Sequence, residues 1–188
     1  FDILADTEYD LSIQVGDFGF REEHQLFLAS KYNTGNQLKN RILFGNHDDY
    51  TFLNESYSLG DFHTFPELGE GNLFSIRGAV SIDKHLRTKG KSWWENEEID
   101  LHQAANALAE YNRCKPKIMI THDCPLSIKR HIFGYEENQL TNRLLQSCFE
   151  DWQPEIWIFG HYHQSITHIE GKTTFTCLNE LETLILKI

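Results

Sequence analysis

The stretch Gly45-Asn46-His47-Asp48 directly follows the apolar run Ile42-Leu43-Phe44 and decides how the rest of the chain is interpreted. Polar side chains beside a glycine at the end of an apolar run are poor material for a hydrophobic core. An Asn amide oxygen can coordinate a metal ion, a His can pass a proton, and an Asp can fix the orientation of that imidazole. A polar turn explains four such residues equally well, so the neighbouring segments have to decide.

Three other strand-like runs also end in potential ligands. Residues 11–15 alternate as a strand does and run into Gly16-Asp17, residues 117–121 precede His122, and residues 156–159 precede Gly160-His161-Tyr162-His163. In open α/β sheets the chemistry lies at the carboxyl ends of the strands, so we expect these side chains to share one site. Oxygen and nitrogen donors of this kind suit Mn, Fe or Zn, and a shared carboxylate allows two ions. The predicted metal ligands are Asp17, Asn46, His122, His161 and His163.

The segments between these runs predict an alternation of helices and strands. Helical spacing is found at residues 22–32, 50–54, 97–112 and 138–151, and residues 1–5 resemble the remainder of a short helix. Two strands of a second sheet are predicted at residues 61–65 and 72–77. A terminal meander is predicted at residues 165–169, 173–177 and 183–188, with a tight turn at residues 170–172. For the helix at residues 97–112, the predicted inner stripe is Ile99, Ala105, Leu108 and Ala109.

Composition limits the class of protein. The chain has 188 residues, of which 40% are hydrophobic, and no Pro/Gly/Ser-rich linker divides it, so residues 1–188 predict a single domain. A net charge of -11 argues against a broad surface for long nucleic acid, because such binding depends on Lys and Arg. No apolar run is long enough to cross a bilayer, and the four cysteines show no Cys-x-x-Cys spacing. We expect a cytoplasmic protein with reduced thiols and no membrane partner.

The order of the motifs resembles the calcineurin-like metallophosphoesterases. That family carries Asp-x-His, Gly-Asp, Gly-Asn-His-Asp/Glu, a lone His and Gly-His-x-His, and the last four occur here in that order. The segment from Ser81 to Trp94 is similar to members from bacteriophages and bacteria, which would place the protein in the host cytoplasm if a phage encodes it. The resemblance implies a four-layer αββα sandwich, in which two mixed β-sheets are flanked by helices.

The resemblance also implies a role for each site residue. Asp17 would bridge two divalent metal ions. The coordination of one ion would be completed by Asn46, His122 and His161, and the other ion would be bound by His163. His47 would act as the general acid or stabilise the transition state, oriented by Asp48. A hydroxide bridging the ions would attack phosphorus, because two cations lower the pKa of bound water and neutralise phosphoryl oxygens.

The first family motif has no counterpart in these residues. Because it precedes a helix resembling residues 1–4, we expect Asp-x-His to lie upstream of Phe1. A protein without it would leave the His163 ion with two protein ligands, giving a mononuclear or inactive site. His24 is a less favoured substitute, since a solvated helical position explains it better. Structural or surface positions are also predicted for His63, His85, His102, His131 and His168.

The expected substrate is a small phosphomonoester or phosphodiester, with nucleotides as candidates. Arg87 would contact phosphate and Trp93 would stack on a base, although paired tryptophans more often anchor a loop. The segment Gly16-Asp17-Phe18-Gly19-Phe20-Arg21 lacks the pattern of the protein Ser/Thr phosphatases. Two alternatives stay open: a nuclease with the same dinuclear chemistry, and a catalytically impaired binding module.

Overall fold

The fold contains two β-sheets and three α-helices in the part of the chain that the structure describes. This computed structural model describes residues 8–19, 39–54, 57–69 and 72–188. The helices predicted at residues 1–5 and 22–32 lie outside the described residues. The smaller sheet pairs β1 (Ser12–Val15) with β2 (Asn40–Leu43) in parallel.

The larger sheet has six strands in the order β3-β4-β5-β6-β8-β7. Its strands are β3 (Phe62–Thr64), β4 (Leu73–Ile76), β5 (Ile118–Thr121), β6 (Ile156–Phe159), β7 (Ile166–Glu170) and β8 (Thr173–Cys177). The four central strands are parallel, and β3 and β7 pair antiparallel at the two edges. The carboxyl ends of β5 and β6 therefore lie side by side, directly before His122 and Gly160.

The helices cover one face of the larger sheet. They are α1 (Leu101–Cys114), α2 (Leu126–Ile128), which continues into a π-helical turn at Lys129–Phe133, and α3 (Leu140–Asp151). Short 3-10 turns occur at Tyr50–Phe52, Pro66–Leu68 and Lys84–Leu86. None of the helices in the described segments has the length and apolar content needed to cross a membrane.

Alternation along the central strands builds two cores on opposite faces of the larger sheet. In β6, Trp157 and Phe159 pack with the helices, whereas Ile156 and Ile158 pack with residues of the smaller sheet such as Leu43. Successive side chains of a strand point to opposite faces, so one apolar run supplies both cores. This layering of helices, large sheet and small sheet confirms the predicted sandwich class. The helix predicted at residues 22–32 lies outside the described residues.

Most predicted elements are confirmed within one to four residues at each end, and two predictions are wrong. Residues 183–188 form no strand, because their side chains are mostly exposed and only Leu186 packs against a core cluster. In α1 the buried stripe is Ala104, Ala107 and Tyr111, whereas Ala105 and Ala109 are exposed.

The start of α1 accounts for part of this correction. Asp100 and Gln103 form a capping box in which each side chain accepts the backbone N–H of the other, both at 2.8 Å. The helix therefore begins at Leu101 and not at Glu97. Ile99 is buried as predicted, but it lies before the helix.

Candidate metal centre

Four strand ends bring potential ligands together between the two sheets. Asp17 follows β1, Asn46 follows β2, His122 follows β5 and His161 follows β6. The ligand atoms of Asp17, His122 and His161 all lie within 4.8 Å of one another. The backbone N–H of Gly160 donates to the His122 carbonyl at 3.1 Å, which ties the last two strand ends together.

His122 presents its Nε2 atom to this cluster. Its Nδ1 lies 2.8 Å from the Val15 carbonyl oxygen, which can only accept, so Nδ1 carries the proton of that hydrogen bond. Nε2 lies 3.1 Å from Asn46 Oδ1 and 3.3 Å from Asp17 Oδ1. Metal-binding histidines typically donate the N–H of one ring nitrogen to a protein acceptor, which fixes the orientation of the other nitrogen toward the metal.

The charges of the cluster influence one another strongly. Burial alone would raise the pKa of the Asp17 carboxyl, but His122 and His47 beside it lower that pKa well below its usual range. Burial alone would lower the pKa of His122, but the Asp17 carboxylate outweighs it and raises that pKa to about 9. Burial lowers the pKa of His161 to about 4, so its lone pair is available to a cation.

Two glycines make room for these side chains. A Cβ atom at Gly45 would lie 2.3 Å from Asp17 Oδ1 and 2.6 Å from His122 Nε2. A Cβ atom at Gly16 would lie 2.0 Å from His122 Nδ1. The cluster is therefore packed against bare backbone on two sides, which only glycine permits.

Three of the predicted ligands adopt left-handed backbone conformations. Asp17, His161 and His163 have φ values of 57°, 69° and 52°. Such a conformation costs roughly 1–3 kcal/mol at a residue with a Cβ atom, and strain of this kind concentrates at functional sites. It turns each side chain away from the direction that an extended strand would give it.

His163 does not join this cluster in the structure. Its ring is 57% exposed, and Nδ1 lies 2.9 Å from Glu180 Oε1. The structure thus brings together four of the five predicted metal ligands and places the fifth in a surface pair. Its role as a ligand of a second ion stays a prediction.

His47 lies at the exposed edge of the centre, against Arg87. Two guanidinium nitrogens of Arg87 lie 2.8 and 3.1 Å from the two ring nitrogens, and Nε2 of His47 lies 4.0 Å from Asp17 Oδ2. Burial lowers the pKa of His47, Asp17 acts against it, and the Arg87 charge lowers it further. Together these effects favour the neutral form of the ring.

The structure gives Asp48 partners that differ from the expected one. Its buried Oδ2 accepts the backbone N–H groups of Asp17 at 3.0 Å and Gly45 at 2.8 Å. These bonds join the loops after β1 and β2. The side chain found against the His47 ring nitrogens is Arg87, which the sequence analysis assigned to substrate phosphate.

The two predicted substrate contacts lie on one loop. Arg87 is held by Asp83 at 2.6 Å and by the Ser92 carbonyl at 3.1 Å. Trp93 is half-buried, and its indole nitrogen is buried without a hydrogen-bond partner among the described residues. Burial raises the pKa of the nearby Glu97 carboxyl, and the indole acts weakly against that rise. Arg87 therefore faces the candidate centre, whereas the indole N–H of Trp93 points into the protein.

Sequence reasoning missed the residues that support the ligands. Asn46 donates to Ser81, which donates to Glu97, and Tyr162 donates to Asp123 Oδ1 at 2.5 Å. Asp123 and Tyr162 each follow a predicted histidine ligand directly in sequence, and that adjacency was the only signal available for them.

The donor set fits a divalent cation. One carboxylate, one amide oxygen and two imidazole nitrogens converge on bare glycine backbone, a combination typical of Mn, Fe and Zn sites. Burial of these polar groups costs free energy, and a cluster that bound no ligand would give no functional gain in return.

Comparison with known proteins agrees with this geometry. A model of the calcineurin-like phosphoesterase family matches residues 1–165. The chain belongs to the calcineurin-like phosphoesterase family. No curated protein matches this calcineurin-like phosphoesterase. Membership confirms the predicted resemblance.

A solved structure shares the fold of this calcineurin-like phosphoesterase. It is a Staphylococcus aureus protein, provisionally named a 5'-nucleotidase and solved in complex with α-ketoglutarate. The TM-score is 0.50, with 16% sequence identity. The match covers 91% of this chain and 40% of that protein, so the chain spans less than half of its length. At this identity the similarity shows the fold alone.

Proposed function

We propose that this chain hydrolyses a small phosphomonoester or phosphodiester, with nucleotides as the leading candidates, in a metal-dependent reaction. The observation that carries the proposal is the convergence of Asp17, His122 and His161, with ligand atoms within 4.8 Å, next to the His47–Arg87 pair. Membership of the calcineurin-like phosphoesterases supports phosphoester chemistry at such a centre.

The proposed cofactors are two divalent ions, of Mn, Fe or Zn. Asp17, Asn46, His122 and His161 would hold the first, and the second would share Asp17 and use His163. When bound, such ions lower the pKa of water and neutralise phosphoryl oxygens. The first set is supported by the ligand atoms of Asp17, His122 and His161, which lie within 4.8 Å of one another, and by Asn46 Oδ1, which lies 3.1 Å from His122 Nε2. The second set requires the exposed His163 to leave Glu180.

The residues beside the cluster would bind the substrate and move a proton. Arg87 presents a planar guanidinium that suits two oxygens of a phosphoryl group, and Asp83 and Ser92 hold it in place. A neutral His47 can donate one ring N–H to the leaving oxygen or accept a proton at the other nitrogen. Trp93 would need its ring face, and not its inward N–H, to contact a base.

The test is hydrolysis of p-nitrophenyl phosphate and bis-p-nitrophenyl phosphate by the full-length protein with added Mn²⁺. We expect turnover, and we expect His47→Ala to lower kcat about 10²- to 10⁴-fold because a proton-transferring imidazole contributes that much. His85→Ala is the matched control, since His85 is exposed on the nearby 3-10 turn. Arg87→Ala should mainly raise KM.

Absence of turnover in metal-loaded protein would contradict the proposal and favour a binding module. Salt-sensitive cleavage of DNA or RNA, with no hydrolysis of the small esters, would favour the nuclease.

A further inference from the structure

A chain of hydrogen bonds leads from the Asn46 amide into the protein interior. Asn46 Nδ2 donates to Ser81 Oγ at 3.0 Å, and the Ser81 hydroxyl donates to Glu97 Oε2 at 2.6 Å. The backbone N–H of Ser81 donates to the other carboxylate oxygen, Oε1, at 2.8 Å. None of the three residues is more than 3% exposed, so water does not compete for these groups.

Glu97, at the interior end of this series of hydrogen bonds, is held in place by further contacts. The Tyr50 hydroxyl donates to the Glu97 carbonyl at 3.0 Å. A Cβ atom at Gly78 would lie 2.8 Å from that same carbonyl oxygen, so the backbone of Glu97 is tightly packed there. The Glu97 carboxylate is thus held in place from outside the metal centre.

The donors and acceptors allow only one orientation of the hydrogen bonds that link Asn46, Ser81 and Glu97: each residue donates to the next. Burial raises the pKa of the Glu97 carboxyl, whereas the two hydrogen bonds that it accepts from Ser81 lower it and favour the ionised form. In that form the carboxylate can only accept, and both of its oxygens accept from Ser81. The single hydroxyl proton of Ser81 is therefore committed to Glu97, and its oxygen lone pair faces Asn46. Only the NH₂ end of the amide can satisfy that lone pair, which leaves Asn46 Oδ1 on the side of His122 Nε2, 3.1 Å away.

We propose that Ser81 and Glu97 are positioning residues that decide which end of the Asn46 amide faces the metal centre. The inference rests on the proposed metal binding by Asn46. An amide turned around would present N–H donors to a cation and could not act as a ligand. Glu97 thus acts on the metal through two hydrogen bonds, without touching it.

Glu97→Gln tests the direction of the chain without a change of size. Glutamine Oε1 would accept the Ser81 backbone N–H, so its NH₂ group would donate to Ser81 Oγ. The Ser81 hydroxyl would then donate to Asn46 and turn the amide oxygen away from the centre. We expect the Mn²⁺ affinity, measured by calorimetric titration, to fall about 10- to 100-fold, the usual effect of losing a supporting partner.

Glu98→Gln is the matched control. Glu98 Oε1 accepts the backbone N–H of Thr141 at 2.9 Å, a bond that glutamine can also make. We expect wild-type Mn²⁺ affinity for this variant. Thermal unfolding of the metal-free proteins checks that each variant is folded.

Adding Asn46→Asp to Glu97→Gln should restore most of the lost affinity. A carboxylate at position 46 accepts the reversed Ser81 hydroxyl with one oxygen and still presents the other to the metal. The double variant keeps the formal charge of the wild type, and a general loss of packing would not be rescued by it.

Wild-type Mn²⁺ affinity in folded Glu97→Gln, or a folded double variant as weak as Glu97→Gln, would overturn the positioning role. If Glu97→Gln does not fold, Ser81→Ala provides the same test, because it leaves the amide free to turn and should also weaken binding. A wild-type protein that binds no Mn²⁺ would instead overturn the proposed function, so the two failures are distinguishable.

Discussion

The inner ligands and the outer ligand of the candidate centre are held in different ways. The inner ligands are Asp17, Asn46, His122 and His161, and the outer ligand is His163. Asn46 and His122 are no more than 2% exposed, and each uses its second polar atom in a hydrogen bond to the protein. His163 is mostly exposed and contacts a carboxylate that is itself 69% exposed.

The difference shows which ligands are already ordered in the folded protein before a metal ion binds. Asn46 and His122 are oriented by buried, directional hydrogen bonds for which water does not compete. An exposed pair such as His163–Glu180 is worth roughly 1 kcal/mol or less, so the ring can leave it at little cost. The inner site is therefore preorganised, whereas any use of His163 requires a rearrangement.

Gly45→Ala should break the inner site most severely. The new Cβ would lie 2.3 Å from Asp17 Oδ1 and 2.6 Å from both the Asp17 backbone nitrogen and His122 Nε2, so backbone as well as side chains must shift. Loss of a single supporting partner already lowers metal affinity about 10- to 100-fold, and here Asp17 and His122 would be displaced together. We expect at least that loss of Mn²⁺ affinity in a calorimetric titration.

Gly90→Ala is the control for Gly45→Ala. A Cβ there has no atom within 4 Å, although its φ of 73° adds strain. This variant should lose some thermal stability and keep its Mn²⁺ affinity. Equal loss of affinity in both variants would mean that the glycine cradle has no specific role.

Asn46→Ala and His163→Ala should separate the inner site from the outer ligand. We expect Asn46→Ala to weaken the tighter Mn²⁺ site by at least about 10- to 100-fold, because it removes a buried ligand and loss of a ligand's outer partner alone has that effect. His163→Ala should leave that site within a few-fold of wild type and lower only the occupancy of a second, weaker site. Metal content at graded Mn²⁺ concentrations measures both.

A larger loss of Mn²⁺ affinity at the tighter site in His163→Ala than in Asn46→Ala would contradict the difference between inner and outer ligands. Asn106→Ala serves as a control, because Asn106 is exposed on α1 and its side chain contacts only His102 among the contacts described.

The sequence predicted the strand ends because strand-like runs end directly at the ligands. Residues 156–159 are the clearest case, since the predicted strand and β6 coincide. Because β5 and β6 are adjacent and parallel, the residues that follow them, His122 and His161, lie close together. The common edge of β5 and β6 made this part of the site predictable.

The sequence could not show contacts that depend on backbone direction or on distant loops. Ser81 lies 35 residues from Asn46, and nothing in its local pattern points to that amide. The left-handed turns at His161 and His163 send two histidines with i, i+2 spacing to different places. The expected Asp48–His47 pairing followed adjacency in sequence, whereas the buried Asp48 carboxylate accepts from the amides of Asp17 and Gly45.

The inner metal site is tested most directly by anomalous diffraction from crystals of the full-length protein soaked in Mn²⁺. We expect a manganese peak coordinated by Asp17, Asn46 Oδ1, His122 Nε2 and His161. We also expect this peak to be stronger than any peak near His163 when Mn²⁺ is limiting. Crystals saturated with Mn²⁺ that show no peak at these four side chains would mean that they do not form a metal site.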